Sequence, residues 1–452
     1  MWNNIVCLCN VAFILSSEGF RYTFSKLYYK LYGIINTNLW DQFIINSCER
    51  LKNKNVFYIK AIQALSADNT NFSEKVRTYM RVMADKVPYK KNDYDLDHLK
   101  SVLQEKNITI GNVPIASGTI SVVFKGSDDK QKEYAIKYKR KNIDKFVIAS
   151  IDEMRFVITI INSLPYFNRF NLLPTFNENT KYINEQLSFI DEWNNIDTVY
   201  KANIRDKRYL IPKPYFKNIT CTYPNIIVMQ FLDGANLNEL TNDNDKDRFC
   251  EIVAKFGLKS IFFNGFVHGD LHQGNCKFRI NNISGNDADT ESSCDEDEDD
   301  KETYNTPREQ LILYDFGILC KINKTEQNHM YNALKYAFND DYRNTGIYIL
   351  DNIVQKNNNK LNETDRYCLI DDLEYWVSYC IGEKKLMEPS DVHKLSSILW
   401  KYKLKISDWF CKIIFAFAIH EAMAKSLSVN KTFLEYGGDM IKESEELFGD
   451  KS

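Results

Sequence analysis

The chain lacks any apolar run long enough to cross a bilayer. A spanning helix needs about 20 predominantly apolar residues, and the longest candidate, Ile5 to Leu15, is shorter and is broken by Asn10. No basic residue precedes it and no clear small-residue cleavage site follows. It therefore reads as a buried or interfacial N-terminal helix rather than a targeting segment. The cysteines are also without a framework. Cys7 and Cys9 are the only close pair among eleven, and no CxxC occurs, which argues against structural zinc and a disulfide scaffold and fits reduced thiols in a cytosolic setting. Net charge is nearly absent at −3, so nothing points to nucleic acid as a partner. No internal repeat of the solenoid kind is present.

What is there begins with a charge asymmetry. Ten acidic residues and one lysine lie between Asp287 and Glu302, which leaves the rest of the chain at about +6. That mildly basic remainder suits a phosphate-bearing ligand. The polar, acidic stretch from about 281 to 308 has no periodicity and reads as a disordered insertion. At 452 residues the chain exceeds one small core and suits two lobes or two to three domains.

Periodicity divides the chain. Residues 1–105 read as helical, with Phe24, Leu27, Tyr28, Leu31 and Ile34 on one face and Val76, Tyr79, Met80 and Met83 on another. A strand-rich region follows. Ile108 to Ile110 and Val113 to Ile115 lead to a small-residue turn, Ala116-Ser117-Gly118-Thr119, then to strands Ile120–Phe124 and Glu133–Lys137 joined by a hairpin turn. Ile226 to Phe231 is an apolar run of strand length closed by Asp233-Gly234. After residue 325 the pattern is almost wholly helical.

Three segments in this order carry chemistry. Phosphoryl transfer from a nucleotide needs a cation for the α- and β-phosphates, metal ions for the γ-phosphate, a carboxylate to orient the attacking group and a loop over the phosphates. Lys137 ends a strand after a small-residue loop and a hairpin, where such a cation belongs. His268-Gly269-Asp270-Leu271-His272-Gln273-Gly274-Asn275 places an aspartate five residues before an asparagine, the spacing of a catalytic carboxylate and a metal-binding amide. Asp315-Phe316-Gly317 follows the apolar strand Leu311 to Tyr314, as a second metal-binding acid does. The acidic insertion accounts for the long gap between Asp270 and Asp315 and is expected at a β-hairpin tip. The cofactors implied are ATP and Mg2+.

The chain resembles the UbiB/ADCK atypical kinase family across roughly residues 55 to 430. The family's K-x-G-Q motif is matched at Lys60 and Gln63, with Ile62 in place of the glycine. Its Ala-rich nucleotide loop is matched by Pro114 to Ser121, with Ala116 retained. Gln186 to Glu192 aligns with its E-x-D segment and the helix glutamate that follows. Val228 to Gly234 resembles its hinge strand. His268 to Asn275 keeps both histidines and the Gly-Asn of its H-x-D-P-H-P-G-N, and Phe417 to Ala422 resembles a C-terminal helix. The resemblance implies Glu192 as the partner of Lys137. It also implies nucleotide contacts at Ala116, Ser117, Gly118, Thr119, Met229, Gln230, Lys60 and Gln63, and ATP binding and hydrolysis linked to lipid metabolism.

The strip His-Gly-Asp-Leu-His-x-Gly-Asn also looks like aminoglycoside- and choline-type phosphotransferases. An ordinary protein kinase fits less well, because Gly269 stands in place of an arginine, no Ala-Pro-Glu follows Asp315, and helical pattern resumes soon after Gly317. The expectation is an α+β, protein-kinase-like bilobal fold. It comprises an N-terminal helical extension (1–105), a β-rich N-lobe with a helical insertion (106–235) and a helical C-lobe (236–452), with MgATP between the lobes. Asp270, Lys137 and Glu192 are the expected catalytic residues, and Asn275 and Asp315 the metal ligands. An active kinase or ATPase, a pseudokinase serving as an interaction module and a small-molecule phosphotransferase remain alternatives. The acceptor is expected to be a lipid or small molecule before a protein. Membrane-surface association and oligomeric state stay open.

Overall fold

A computed structural model describes residues 2–32, 38–51, 58, 72–85, 89–162, 180, 184–281, 306–355, 361–385, 387, 389–428 and 430–448. The chain divides into two compact units, Met1–Trp193 with Pro214–Phe231, and Asn194–Lys213 with Leu232–Ser452.

The first unit opens with helices Trp2–Leu31, Leu39–Leu51 and Glu74–Asp85. Their shared core is small: Cys48, Val76 and Met80 are buried, with Ile44, Ile45 and Tyr79 against them. Glu18 is buried as well, and Arg50 compensates its charge at 2.7 Å. The expected apolar face at Phe24, Leu27, Tyr28 and Leu31 is helical, yet these side chains are exposed rather than packed.

Helix Leu96–Gln104 starts at Asp95, whose carboxylate accepts the His98 amide, and its Leu99, Val102 and Leu103 pack beneath a sheet. That sheet has the order β1 (Thr109–Ile110), β3 (Ser121–Ser127), β4 (Glu133–Lys139), β7 (Ile226–Gln230) and β6 (Pro214–Tyr215), with β2 (Ala116–Ser117) also on β3. Every pairing in it is antiparallel. Alternation on β3 buries Val122, Phe124 and Gly126. A side chain at Gly126 would meet the Thr109 carbonyl at 2.8 Å, which is why β1 can lie so close. Helix Ile143–Asn162 buries Ile143, Val147 and Ile151, one residue per turn.

The second unit is mainly helical: Asp243–Lys259, Lys324–Phe338, Tyr342–Asn352, Glu363–Val377, Pro389–Lys401, Asp408–Leu427 and Phe433–Phe448. Its core gathers Leu258, Ile261, Val267, Leu369, Leu373, Leu395, Ile413, Phe417 and Phe433. Gly257 lets two helices approach, since a Cβ there would sit 2.5 Å from the His420 ring. Within the segment Phe417 to Ala422, Phe417, His420 and Glu421 are buried.

Short strands frame the site. β5 (Tyr209–Leu210), β10 (Glu309–Leu313) and β9 (Cys276–Ile280) form one sheet, and β8 (Phe266–His268) pairs with β11 (Leu319–Lys321). β12 (Val354–Gln355) pairs with β13 (Lys405–Ile406), within a region expected to be almost wholly helical. β9 and β10 are antiparallel from Cys276↔Leu313 to Ile280↔Glu309. The acidic insertion therefore joins the two arms of a hairpin, which close where the Asn281 amide donates to the Arg308 carbonyl at 2.7 Å; residues 282–305 lie outside the described residues.

Candidate active site

In the first unit, β4 presents Lys137. Its Nζ lies 2.5 Å from Glu192 Oε1 on helix Phe189–Asn203, although they are 55 positions apart in the chain. The two side chains are only 11% and 1% exposed. A buried ion pair is costly to desolvate and is held by geometry on both sides, here by the β4 ladder and by burial of Phe189 and Ile196 on the same helix. The expected partnership of Lys137 and Glu192 is thus a contact in the folded chain.

The register across three strands places the loop beside the lysine. Ala116 pairs with Val123, and Val123 pairs with Lys137, so Ala116 is two strand spacings, about 10 Å, from the lysine along one row. The turn expected over Ala116–Thr119 begins as a strand. The Ile115 amide bonds the Val123 carbonyl at 2.8 Å and the Gly118 amide bonds the Ser121 carbonyl at 2.9 Å. The ladder holds through Ser117, and the chain reverses over Thr119-Ile120. Met229 and Gln230 end β7, opposite Ala135 and Tyr134, with Met229 buried and Gln230 half-buried. Lys60 and Gln63 lie outside the described residues.

In the second unit, helix Asp243–Lys259 runs on through a π turn, Ser260–Asn264, and stops at Gly265. Gly265 has φ +74°, and its N–H returns to the Ser260 carbonyl, a left-handed cap that glycine adopts without strain. The chain then enters β8 and reaches the strip. His268 is fully buried, packs on the Phe316 ring at 5.1 Å between centroids, and accepts the Asp270 amide on Nδ1 at 3.2 Å. Burial pushes its ring below the ordinary histidine value, against the opposing pull of Asp270 and Asp315. With its Nδ1 accepting the Asp270 amide, the ring serves to shape the strip.

Asn275 closes the strip on itself, its amide nitrogen donating to the Asp270 carbonyl at 2.9 Å. The Asn275 carbonyl accepts the Tyr314 amide at 3.0 Å, which ties the strip to the residue before Asp315. Asp315 is fixed by the Gly317 amide at 2.9 Å, and Asn195 donates to the Phe316 carbonyl at 3.0 Å. The Tyr314 hydroxyl donates to the Leu232 carbonyl at 2.7 Å. His272 accepts the Gly274 amide at 3.0 Å and so caps the short turn Gln273–Asn275.

Gly269 has a local cause, because a Cβ there would lie 2.4 Å from Ile318 Cγ2. The segment after Gly317 first forms β11, pairing Leu319 with His268. A three-residue strand is too short to show periodicity, so the sequence reads as resuming helix at once.

An Asp carboxylate and an Asn amide oxygen are hard donors that suit Mg2+, which takes few protein ligands and completes its shell with phosphate and water. Among the described residues no group of three or more His, Cys, Asp or Glu could hold a metal. Asn195, Tyr314 and Arg140 were not legible as site residues. Asn195 and Tyr314 each donate to one backbone carbonyl and Arg140 to Ser117 and Asp93, and a single Asn, Tyr or Arg carries no spacing signal.

The fold and these two sets of residues define a protein-kinase-like molecule. Residues 89–348 match the ABC1 atypical kinase-like domain, more than half of the chain, and the chain belongs to that family. It is similar to an AarF domain-containing protein kinase 1 of Gallus gallus, 22% identical over 250 residues, covering 52% of this chain and 47% of the relative. It is also similar to a probable protein kinase UbiB of Blochmanniella pennsylvanica (strain BPEN), 23% identical over 312 residues, covering 65% and 51%. The chain thus spans about half the length of these curated relatives. Among solved structures, the complex of Rv3197 with erythromycin from Mycobacterium tuberculosis aligns at TM-score 0.47 and 14% identity, over 82% of this chain and 87% of that one.

Proposed function

We propose that this chain binds MgATP and transfers its terminal phosphoryl group to a small hydroxyl compound, a lipid or water. The buried Lys137–Glu192 pair is the observation that carries the reading. A lysine withdrawn from solvent and clamped by a carboxylate serves a packed core poorly, while it serves an anionic ligand well. In this reading Lys137 engages the α- and β-phosphates, and Glu192 holds the ammonium in place. Ala116 to Thr119 cover the phosphates, and Met229 and Gln230 border the base. Lys60 and Gln63 belong to the same proposed binding set. Asp270 orients the acceptor hydroxyl and takes up its proton. Asn275 and Asp315 hold magnesium, which when bound neutralises phosphate charge.

Two further observations support the choice of acceptor and setting. Gly269 leaves no side chain to read a phosphorylated segment, which favours a lipid or small alcohol over a protein. Along helix Trp2–Leu31, Phe13, Phe20, Phe24 and Leu27 are exposed on one face that also carries few acids, which supports association with a membrane surface. No helix among the described residues is long and apolar enough to cross a membrane.

Calorimetric titration with ATP, with and without Mg2+, tests the binding step. Wild type is expected to bind in a magnesium-dependent manner, and Lys137→Met and Asp315→Asn to weaken that binding by at least about tenfold, the loss of one charge-assisted contact. Equal affinity in wild type and both variants would overturn the reading.

A further inference from the structure

Just past β4, three residues beyond Lys137, Arg140 has a side chain only 11% exposed. It uses both terminal nitrogens. One donates to the Ser117 hydroxyl at 2.7 Å, and the other to the Asp93 carboxylate at 3.1 Å. Its backbone is engaged too, the Arg140 amide donating to the Ile120 carbonyl at 2.9 Å. Asp93 is itself fixed, accepting the Lys90 amide at 3.0 Å on its carboxylate and the Lys141 amide at 2.7 Å on its carbonyl. It lies just before helix Leu96–Gln104, whose Leu99 and Leu103 are fully buried.

A line of contacts therefore runs from the packed helix through Asp93 and Arg140 to Ser117, the last ladder residue before the reversal over Thr119-Ile120. Besides the backbone bonds of Ile115 to Val123 and Gly118 to Ser121, the loop is lightly packed, since Ala116 and Gly118 are exposed and a Cβ at Gly118 would meet nothing closer than 3.8 Å. The planar fork of an arginine can hold two partners in fixed directions, which an ammonium cannot match.

We propose that Arg140 is a positioning residue for the nucleotide: by bracing Ser117 against Asp93 it holds the Ala116–Thr119 loop in the conformation that covers the phosphates. The proposal rests on the reading of that loop as the phosphate cover. Arg140 acts through Ser117 and not by touching phosphate. Loss of either end of the brace therefore has the same consequence, and loss of both adds nothing.

The test uses the full chain with Arg140→Gln, Arg140→Lys, Ser117→Ala and the Arg140→Gln/Ser117→Ala double variant. Hydrogen exchange without nucleotide is expected to quicken by about tenfold or more at the amides of 115–120 in each, as a local opening freed of one anchor does, with β3 and β4 still protected. The KM for MgATP is expected to rise about tenfold in Arg140→Gln with kcat within about twofold, and the double variant to match it. Arg140→Lys keeps the charge without the fork and keeps the loss. Unchanged exchange at 115–120 would overturn the brace. Faster exchange with unchanged KM would overturn its role toward the nucleotide. A normal KM in Ser117→Ala beside a raised one in Arg140→Gln would mean a direct phosphate contact instead. Absence of MgATP binding in wild type would sink the functional reading itself, a result distinct from all of these.

Discussion

Lys137 and Glu192 show how one pair can be a liability for stability and an asset for ligand binding. Removing one partner strands a buried charge at a cost of about 3–5 kcal/mol, whereas replacing both with apolar groups is often neutral. Glu192→Leu alone is therefore expected to lower the denaturation midpoint clearly, and Lys137→Met/Glu192→Leu to recover most of it while binding no MgATP. A double variant as unstable as the single would contradict that account. Asp206 gives a separate, pH-dependent residue effect. Burial alone would raise its pKa, but hydrogen bonds from Arg208 and Lys259 outweigh it and hold the carboxyl at about 2. A depressed folded value means the stabilisation is present above the unfolded value near 3.9 and is lost as pH falls toward 2. Urea midpoints of wild type and Asp206→Asn are expected to differ most at pH 5 and to converge by pH 2; a constant difference would contradict the assignment. At this scale the sequence showed much: Asp270 and Asn275 stood out by spacing, and Asp315 as part of an Asp-Phe-Gly after an apolar strand downstream of them. Glu192 came only from family resemblance, because a separation of 55 positions from Lys137 leaves no local trace.

At the scale of elements, periodicity identified what was long and missed what was short. β3, β4, β7 and the helices of the second unit carry enough residues to show alternation or a helical face. β2 and β11 span two and three residues, and their strand character comes from the partners they meet. The aromatic residues on helix Trp2–Leu31 gave the right period but not their exposure, since spacing marks a face without saying what covers it. The hairpin around the acidic insertion was legible from the gap between Asp270 and Asp315. Its arms close at Asn281 and Arg308, with the Asn281 side chain also donating to the Pro307 carbonyl at 2.8 Å. Loop length costs little in closure entropy. Replacing 283–305 with a four-residue Gly-Ser turn is accordingly expected to leave the thermal midpoint within about 2 °C and MgATP affinity unchanged. A large fall in either would show that the insertion supports the fold.

For the whole molecule, family membership and a kinase-like fold agree with the reading of motifs in order along the chain. The family match covers residues 89–348, which includes Lys137, Glu192, Asp270, Asn275 and Asp315, so the proposed catalytic and metal-binding residues fall within it, while Lys60 and Gln63 lie outside it. The central claim is that Asp270 acts in phosphoryl transfer and not in holding the nucleotide. The direct measurement is the rate of ADP release from MgATP by purified wild type and by Asp270→Asn, with lipid vesicles and a panel of small alcohols as acceptors. The account predicts magnesium-dependent release by wild type and a fall of about 10² or more in Asp270→Asn, at unchanged MgATP affinity. Equal release by both proteins, or binding without release in wild type, would contradict it.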